Sequence, residues 1–231
     1  MGKYEIITAE NLSAAELAKL IDHSLLFAYS TKEEILKFCG EVKEYGFGCA
    51  AINPRFIELV AQELKGTDAH IDAPIGYPWG ANLIETKAAE IYSCVRLGAT
   101  DVDYVISVGA AVGGDWDYIK REAEAMVKAA RDCQVPSKAI LECCYLTDEQ
   151  KVKAALAVKE CGVDYVKTST GFGSGWCTVE DVKLLKEAVG VDTGVKASGR
   201  VTDYKFAVDL IHAGASRIGT RAGVDVIKSM G

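Results

Sequence analysis

The run Gln150-Lys151-Val152-Lys153-Ala154-Ala155-Leu156-Ala157-Val158-Lys159-Glu160-Cys161, then Gly162, then Val163-Asp164-Tyr165-Val166-Lys167, decides the fold. Its first part is an amphipathic helical stretch. Glycine supplies the left-handed residue that closes such a helix. The short apolar run that follows reads as a buried parallel strand. The same order returns around Gly46, between a helix predicted over 33–45 and a strand over 49–52. It returns around Gly98 (helix 84–97, strand 102–108), Gly190 (182–189, 194–197) and Gly214 (206–213, 216–219). Further strands are predicted over 71–77 and 138–143, and a short one over 21–25 after a first helix. Helix starts are marked by capping-box patterns at Ser13 to Glu16, Ser30 to Glu33 and Thr147 to Gln150. Strands alternating with helices imply a parallel sheet. About eight such units in 231 residues favour a closed (β/α)8 TIM barrel, with a short N-terminal helix and one domain over 1–231.

Composition narrows the function. About half of the residues are apolar (49 %), enough for a sizeable core, and the formal charge is −7. An acidic body argues against nucleic acid or an anionic membrane as partner. No apolar run has membrane-spanning length. Met1 to Ile6 lacks a signal peptide's apolar stretch, and position 6 lacks the Ser or Thr of a myristoylation signal. The expected compartment is the cytoplasm. The eight cysteines form no CxxC pair and mostly lie in apolar runs, so free buried thiols are expected. His23, His70 and His212 are far apart and show no metal spacing. No metal or cofactor is expected.

Two lysines carry the chemistry. Lys167 opens Lys167-Thr168-Ser169-Thr170-Gly171-Phe172-Gly173, and Lys196 opens Lys196-Ala197-Ser198-Gly199. Each ends an apolar strand, where lysine is rarely found without a reason. In a barrel of this kind the chemistry sits at the C-terminal strand ends. That rule selects Asp22, Asn53, Asp103, Glu142, Lys167, Lys196 and the loop after Gly219. Two ammonium groups on adjacent strands would repel, lowering one pKa and freeing a neutral amine that attacks carbonyls. Asp101, Asp103 and Val105 share one face of their strand, so Asp103 can pair with the lysines and move protons. The bland alternatives are lysines that snorkel to the rim and a salt bridge that only neutralises them. Gly171 and Gly199 follow the sixth and seventh strands and Gly219 ends the eighth, where backbone N–H groups can approach an anion. Arg200 and Arg221 stand in those loops and can add charge-assisted contacts, or be merely solvated.

These residues resemble the deoxyribose-phosphate aldolase family over nearly the whole chain. The resemblance rests on Ile21-Asp22-His23-Ser24-Leu25-Leu26, Asn53-Pro54-Arg55-Phe56, Ile75-Gly76-Tyr77-Pro78-Trp79-Gly80 and Gly98 through Ile106. Leu141 through Thr147 adds to it, and Lys167 through Phe172 and Lys196 through Gly199 are its most specific parts. The resemblance implies a class I lyase that cleaves 2-deoxy-D-ribose 5-phosphate reversibly to acetaldehyde and D-glyceraldehyde 3-phosphate, in deoxyribose phosphate catabolism. It implies Lys167 as the Schiff-base lysine and Lys196 as the group that tunes it. Asp103 would work with Lys196 through a water, and Asp22 would support the same network. Thr170, Gly171, Gly199, Arg200, Gly219, Thr220 and Arg221 fall on the expected substrate and phosphate loops. It also implies small-molecule partners, an aldehyde and a sugar phosphate, and a homodimer or higher homo-oligomer.

The chain departs from the family pattern in places. Arg200 stands where a second glycine is usual, and the last loop reads Gly219-Thr220-Arg221-Ala222 rather than Gly-Thr-Ser-Ser. Ser107 replaces a frequent Asn, Ala51 a frequent Cys, and Trp176 a smaller residue. No tyrosine follows Tyr204, so the C-terminal tyrosine of some members is absent. Two rival readings remain at this stage. One is a class I aldolase with another anionic or non-phosphorylated acceptor aldehyde. The other is a non-catalytic barrel that senses sugar phosphates.

Overall fold

A computed structural model describes Tyr4 and residues 12–230. The readings made on Met1 to Ile6 lie outside the described residues, Tyr4 excepted. Eight parallel strands close into a barrel in chain order: β1 (Ile21–Leu25), β2 (Cys49–Ile52), β3 (His70–Ile75), β4 (Asp101–Val105), β5 (Ser137–Ile140), β6 (Tyr165–Lys167), β7 (Gly194–Ser198) and β8 (Arg217–Thr220). The barrel is sealed by β8 pairing with β1, Ile218 opposite Ile21. The expected TIM barrel is therefore present, and the expected first helix is α1 (Ala14–Leu20). Predicted strands ran two or three residues too far at their C-terminal ends on β3, β4 and β5. The excess residues turn out of the sheet into the loops that form the barrel mouth.

The outer layer follows from helical periodicity. In α6 (Trp116–Asp132), Ile119, Ala123, Met126, Val127 and Ala130 are buried on one face. Asp115 caps the helix by accepting from the Tyr118 N–H at 3.0 Å. Full burial of a side chain such as Ile119 contributes about 2 kcal/mol. The Ser13–Glu16 and Thr147–Gln150 capping boxes are formed as expected. The third lies one residue further on, between Thr31 in the extended cap conformation and Glu34. Among the described residues no helix is long and apolar enough to cross a membrane.

Strand register positions the site. Lys167 stands opposite Lys196 across β6 and β7. Asp103 stands opposite Lys138 across β4 and β5, and Asp72 opposite Asp101 across β3 and β4. Successive strand residues point to opposite faces. On β4, Val102 and Tyr104 enter the apolar layer beneath the helices, while Asp101 and Asp103 turn to the barrel axis and meet Lys138.

Candidate active site

Lys167 ends β6 with only 4 % of its surface exposed. Its Nζ donates to Asp103 Oδ2 at 2.7 Å. Lys196 Nζ donates to the same oxygen at 2.6 Å, to Asp72 Oδ2 at 3.0 Å, and pairs with Asp22. One carboxylate thus holds both sequence-selected lysines, and Asp22 joins through Lys196. A third lysine completes the cluster. Lys138 Nζ lies 2.8 Å from Asp103 Oδ1, 3.0 Å from Asp101 Oδ2 and 3.6 Å from Asp72 Oδ1. Arg217 closes the far side by donating Nε to Asp22 Oδ1 at 2.8 Å.

The electrostatics separate the two lysines. Burial pushes the Lys167 pKa down; Asp103 opposes that and the Lys196 charge adds to it. Desolvation therefore leads, and the crowding of two ammonium groups expected from sequence is a secondary cause. Burial acts on Lys196 too, but Asp103, Asp22 and Asp72 outweigh it and raise its pKa, so it stays an ammonium. Asp103 is buried, yet Lys138, Lys167 and Lys196 hold its carboxyl well below the usual range. Burial would also raise Asp22, but Lys196, Arg217 and Lys138 keep it lowered. The cluster holds one amine with a weakened grip on its proton, beside a permanent cation and a permanent anion.

A cavity of about 560 Å³ opens at the barrel mouth, walled by residues that follow Lys167 and Lys196 in the chain, among them Thr170, Gly171, Ser198 and Gly199. Lys167 is not part of that wall. The Thr170 hydroxyl bonds Glu142, the Thr170 N–H donates to Glu142 Oε1 at 3.2 Å, and the Thr170 Oγ1 accepts the Phe172 N–H at 3.0 Å. Thr220 Oγ1 donates to the Val201 carbonyl at 2.5 Å and accepts the Ala222 N–H at 3.0 Å. Both hydroxyls are thus engaged within the protein, shaping the loops. Gly219 is demanded by packing: a Cβ there would stand 2.7 Å from Ser198 Oγ and 3.2 Å from Lys196 Cε.

Arg200 and Arg221 both enter the cavity wall and are otherwise exposed. The Arg200 guanidinium lies 4.0 Å from the Trp176 ring centroid, and that of Arg221 5.1 Å from Phe27. The large Trp176 therefore has a partner, the arginine that replaces glycine beside it. Asn53 belongs to the same rim: its Nδ2 donates to the Phe27 carbonyl at 3.1 Å. It is not part of the lysine cluster.

Sequence reading missed Lys138, Asp72 and Arg217 as members of the cluster, and took Asp101 only as sharing a strand face with Asp103. Their signal was available, since each interrupts an otherwise apolar strand with a charge. It also missed Lys87 of α4 (Ile84–Arg96), buried and donating to Gly80 O at 2.7 Å, Val105 O at 2.8 Å and Glu122 Oε1 at 2.6 Å. That lysine ties the loop after β3 to the end of β4, behind the wall residue Tyr77.

The family model of DeoC/LacD family aldolases matches residues 16–211. The chain belongs to the DeoC/LacD aldolase family. The deoxyribose-phosphate aldolase of Thermoanaerobacter sp. (strain X514) is 52 % identical to it, over 92 % of this chain and 96 % of that one. The deoxyribose-phosphate aldolase of Caldanaerobacter subterraneus subsp. tengcongensis is 48 % identical, over 94 % of each chain. Among solved structures, the tetrameric deoxyribose phosphate aldolase of Aeropyrum pernix superposes with a TM-score of 0.88 at 30 % identity, covering 94 % of this chain and 92 % of that one. This aldolase thus joins an expected barrel to an expected family.

Proposed function

We propose that this aldolase cleaves 2-deoxy-D-ribose 5-phosphate reversibly to acetaldehyde and D-glyceraldehyde 3-phosphate through a Schiff base on Lys167. One observation carries the assignment: the buried amine of Lys167, 2.7 Å from a carboxylate that also holds Lys196. Neutral Lys167 attacks the carbonyl of the open-chain sugar to give a carbinolamine. The Asp103–Lys196 pair delivers the proton that lets the hydroxyl leave as water. The resulting iminium draws electrons as the C2–C3 bond breaks, the C3 hydroxyl gives its proton to a water on the Asp103–Lys196 pair, and the aldehyde carrying the phosphate departs. The remaining enamine is protonated on carbon, and water releases acetaldehyde and the free amine. Asp22 holds Lys196 from the far side, fixing its ammonium toward Asp103. Gly171, Gly199 and Gly219 supply backbone around the substrate. Thr170 and Thr220 set the loop shapes, and Arg200 and Arg221 bind the 5-phosphate at the rim.

Residues 1–231 act here as one domain. The buried thiols Cys39, Cys49, Cys94, Cys143 and Cys177 support a reducing, cytoplasmic setting. The tetramer of the Aeropyrum pernix enzyme supports a homo-oligomer, which sedimentation would read. Reductive trapping with acetaldehyde tests the central claim. The expected result is a mass gain confined to the peptide carrying Lys167. An adduct elsewhere, or none at saturating aldehyde, overturns it.

A further inference from the structure

Asp72 lies at the centre of the cluster, yet the reaction above gives it no task. Its Oδ2 accepts from Lys196 at 3.0 Å, and Lys138 Nζ stands 3.6 Å from its Oδ1. That Oδ1 is buried with no hydrogen-bond donor among the described residues. Asp72 and Asp103, the carboxylate that touches Lys167, both accept from Lys196 Nζ, Asp103 at 2.6 Å, so the two carboxyl groups crowd one ammonium. Two carboxyl groups so crowded bind one proton far more readily than two ionise together.

The charges around Asp72 show when that proton is held. Lys138 from β5 and Lys196 from β7 approach it directly, and through them it joins one ion-pair cluster with Asp101 and Asp103 of β4, Lys167 of β6, Asp22 of β1 and Arg217 of β8. Cys49 on β2 and the phenols Tyr77 and Tyr165 have raised pKa values, led by burial, and stay neutral. His70, on the same strand, pairs with Asp101 and is half exposed. With every lysine protonated, Lys138, Lys167, Lys196 and Arg217 balance Asp22, Asp72, Asp101 and Asp103. Once Lys167 is neutral, the interior carries one uncompensated negative charge, a costly state away from water. A proton on one carboxylate removes it. Asp103 is not that site, since Lys138 at 2.8 Å and Lys196 at 2.6 Å still hold it, closer than they come to Asp72. Burial, and then the Asp103 charge, push the Asp72 carboxyl up to about 6.

We propose that Asp72 is the positioning residue that takes up, through Asp103, the proton Lys167 sheds on becoming a nucleophile. The inference rests on the Schiff-base reading above. The exchange is balanced: the Lys167 ammonium and the Asp72 carboxylate become an amine and a carboxylic acid. When the carbinolamine dehydrates, that proton returns through the Asp103–Lys196 pair and leaves with the hydroxyl oxygen as water. The iminium then carries the positive charge, and Asp72 is a carboxylate again. The interior stays near neutrality throughout.

The test is the pH dependence of cyanoborohydride trapping of acetaldehyde on Lys167, read by mass in the full-length protein, for wild type, Asp72→Asn and Asp72→Ser. Both variants remove the negative charge that favours the protonated amine. Each is expected to move the acid limb of trapping to lower pH by about one unit, a roughly tenfold gain in reactive amine below the limb. Their plateau rates are expected to fall roughly tenfold or more, because dehydration loses its internal acid. A limb unmoved in both variants, whatever the plateau, overturns the proposal, since a purely structural Asp72 would change rates without moving the limb. Should neither variant fold, carbon-13 spectra of wild-type protein labelled at aspartate decide. One buried carboxyl titrating above the ordinary aspartate range supports the proposal, and ionisation of all of them by about pH 5 overturns it. Wild-type protein with no trapped adduct defeats the Schiff-base reading itself, and this inference falls with it.

Discussion

The barrel interior and the barrel mouth both use charge, in opposite ways. Inside, Lys138, Lys167 and Lys196 are almost wholly buried, and each cation is matched to carboxylates at 2.6 to 3.6 Å. At the mouth, Arg200 and Arg221 are exposed and rest on aromatic rings rather than on carboxylates. Buried charges interact strongly and leave little room for change, because each one lost strands another. Exposed charges are screened by water and salt, so they tolerate exchange. On the proposed reaction, bond making belongs to the interior and choice of substrate to the rim.

The sharpest way to break that division is at Lys167. Replacing it with alanine is expected to abolish both the trapped adduct and aldol cleavage, leaving the fold intact as judged by circular dichroism. Retained cleavage in that variant would remove the interior from the chemistry altogether. Asp103→Asn comes next. It leaves three ammonium groups facing a neutral amide, so a stability loss of about 3–5 kcal/mol is expected in denaturant unfolding. With it should come a fall in kcat of roughly 10²-fold to 10⁴-fold from the lost proton relay.

The pH profile sharpens the comparison further. Lys167 has a depressed pKa, so its reactive neutral form grows as pH rises through that lowered value. Cleavage should therefore rise with pH and level off well below the range of an ordinary lysine amine. A profile still climbing through pH 10 would contradict the buried amine. Smallest of all should be the rim effects. Arg200→Ala and Arg221→Ala are each expected to raise KM for the phosphorylated sugar by about tenfold with little change in kcat, and added salt should mimic them. Equal kcat/KM for the sugar with and without its 5-phosphate would show that the rim recognises another anion.

The two regions also differed in how far they could be read from the chain. The barrel was legible because each unit carries its own punctuation, such as Gly46 and Gly162 closing helices ahead of apolar strands. Lys167 and Lys196 were legible because a charge in a buried apolar run that opens onto Gly, Ser and Thr has few structural excuses, and Asp103 because strand alternation turns it inward beside Asp101. Asp72 and Lys138 were harder to find. Neither is followed by a glycine- and hydroxyl-rich turn, and only ring closure brings β3 and β5 across from β7. The leading cause of the lowered Lys167 pKa was likewise misread, because depth of burial is a property of the closed barrel rather than of neighbouring residues. At the rim, the two arginines were visible, but not the rings beneath them, since Phe27 and Trp176 reach them from loops far away in sequence.

Gly219 gives the divided molecule a single hinge between its two tasks. It lines the mouth, yet its bare α-carbon faces the stem of Lys196 and the hydroxyl of Ser198. Randomising the acceptor loops to win new aldehydes should therefore succeed at positions 200 and 221 and stall at 219. Any methyl group added there pushes on the stem of Lys196, the proposed helper of Lys167, so an engineer seeking a new specificity at that position would disturb the proposed catalyst instead.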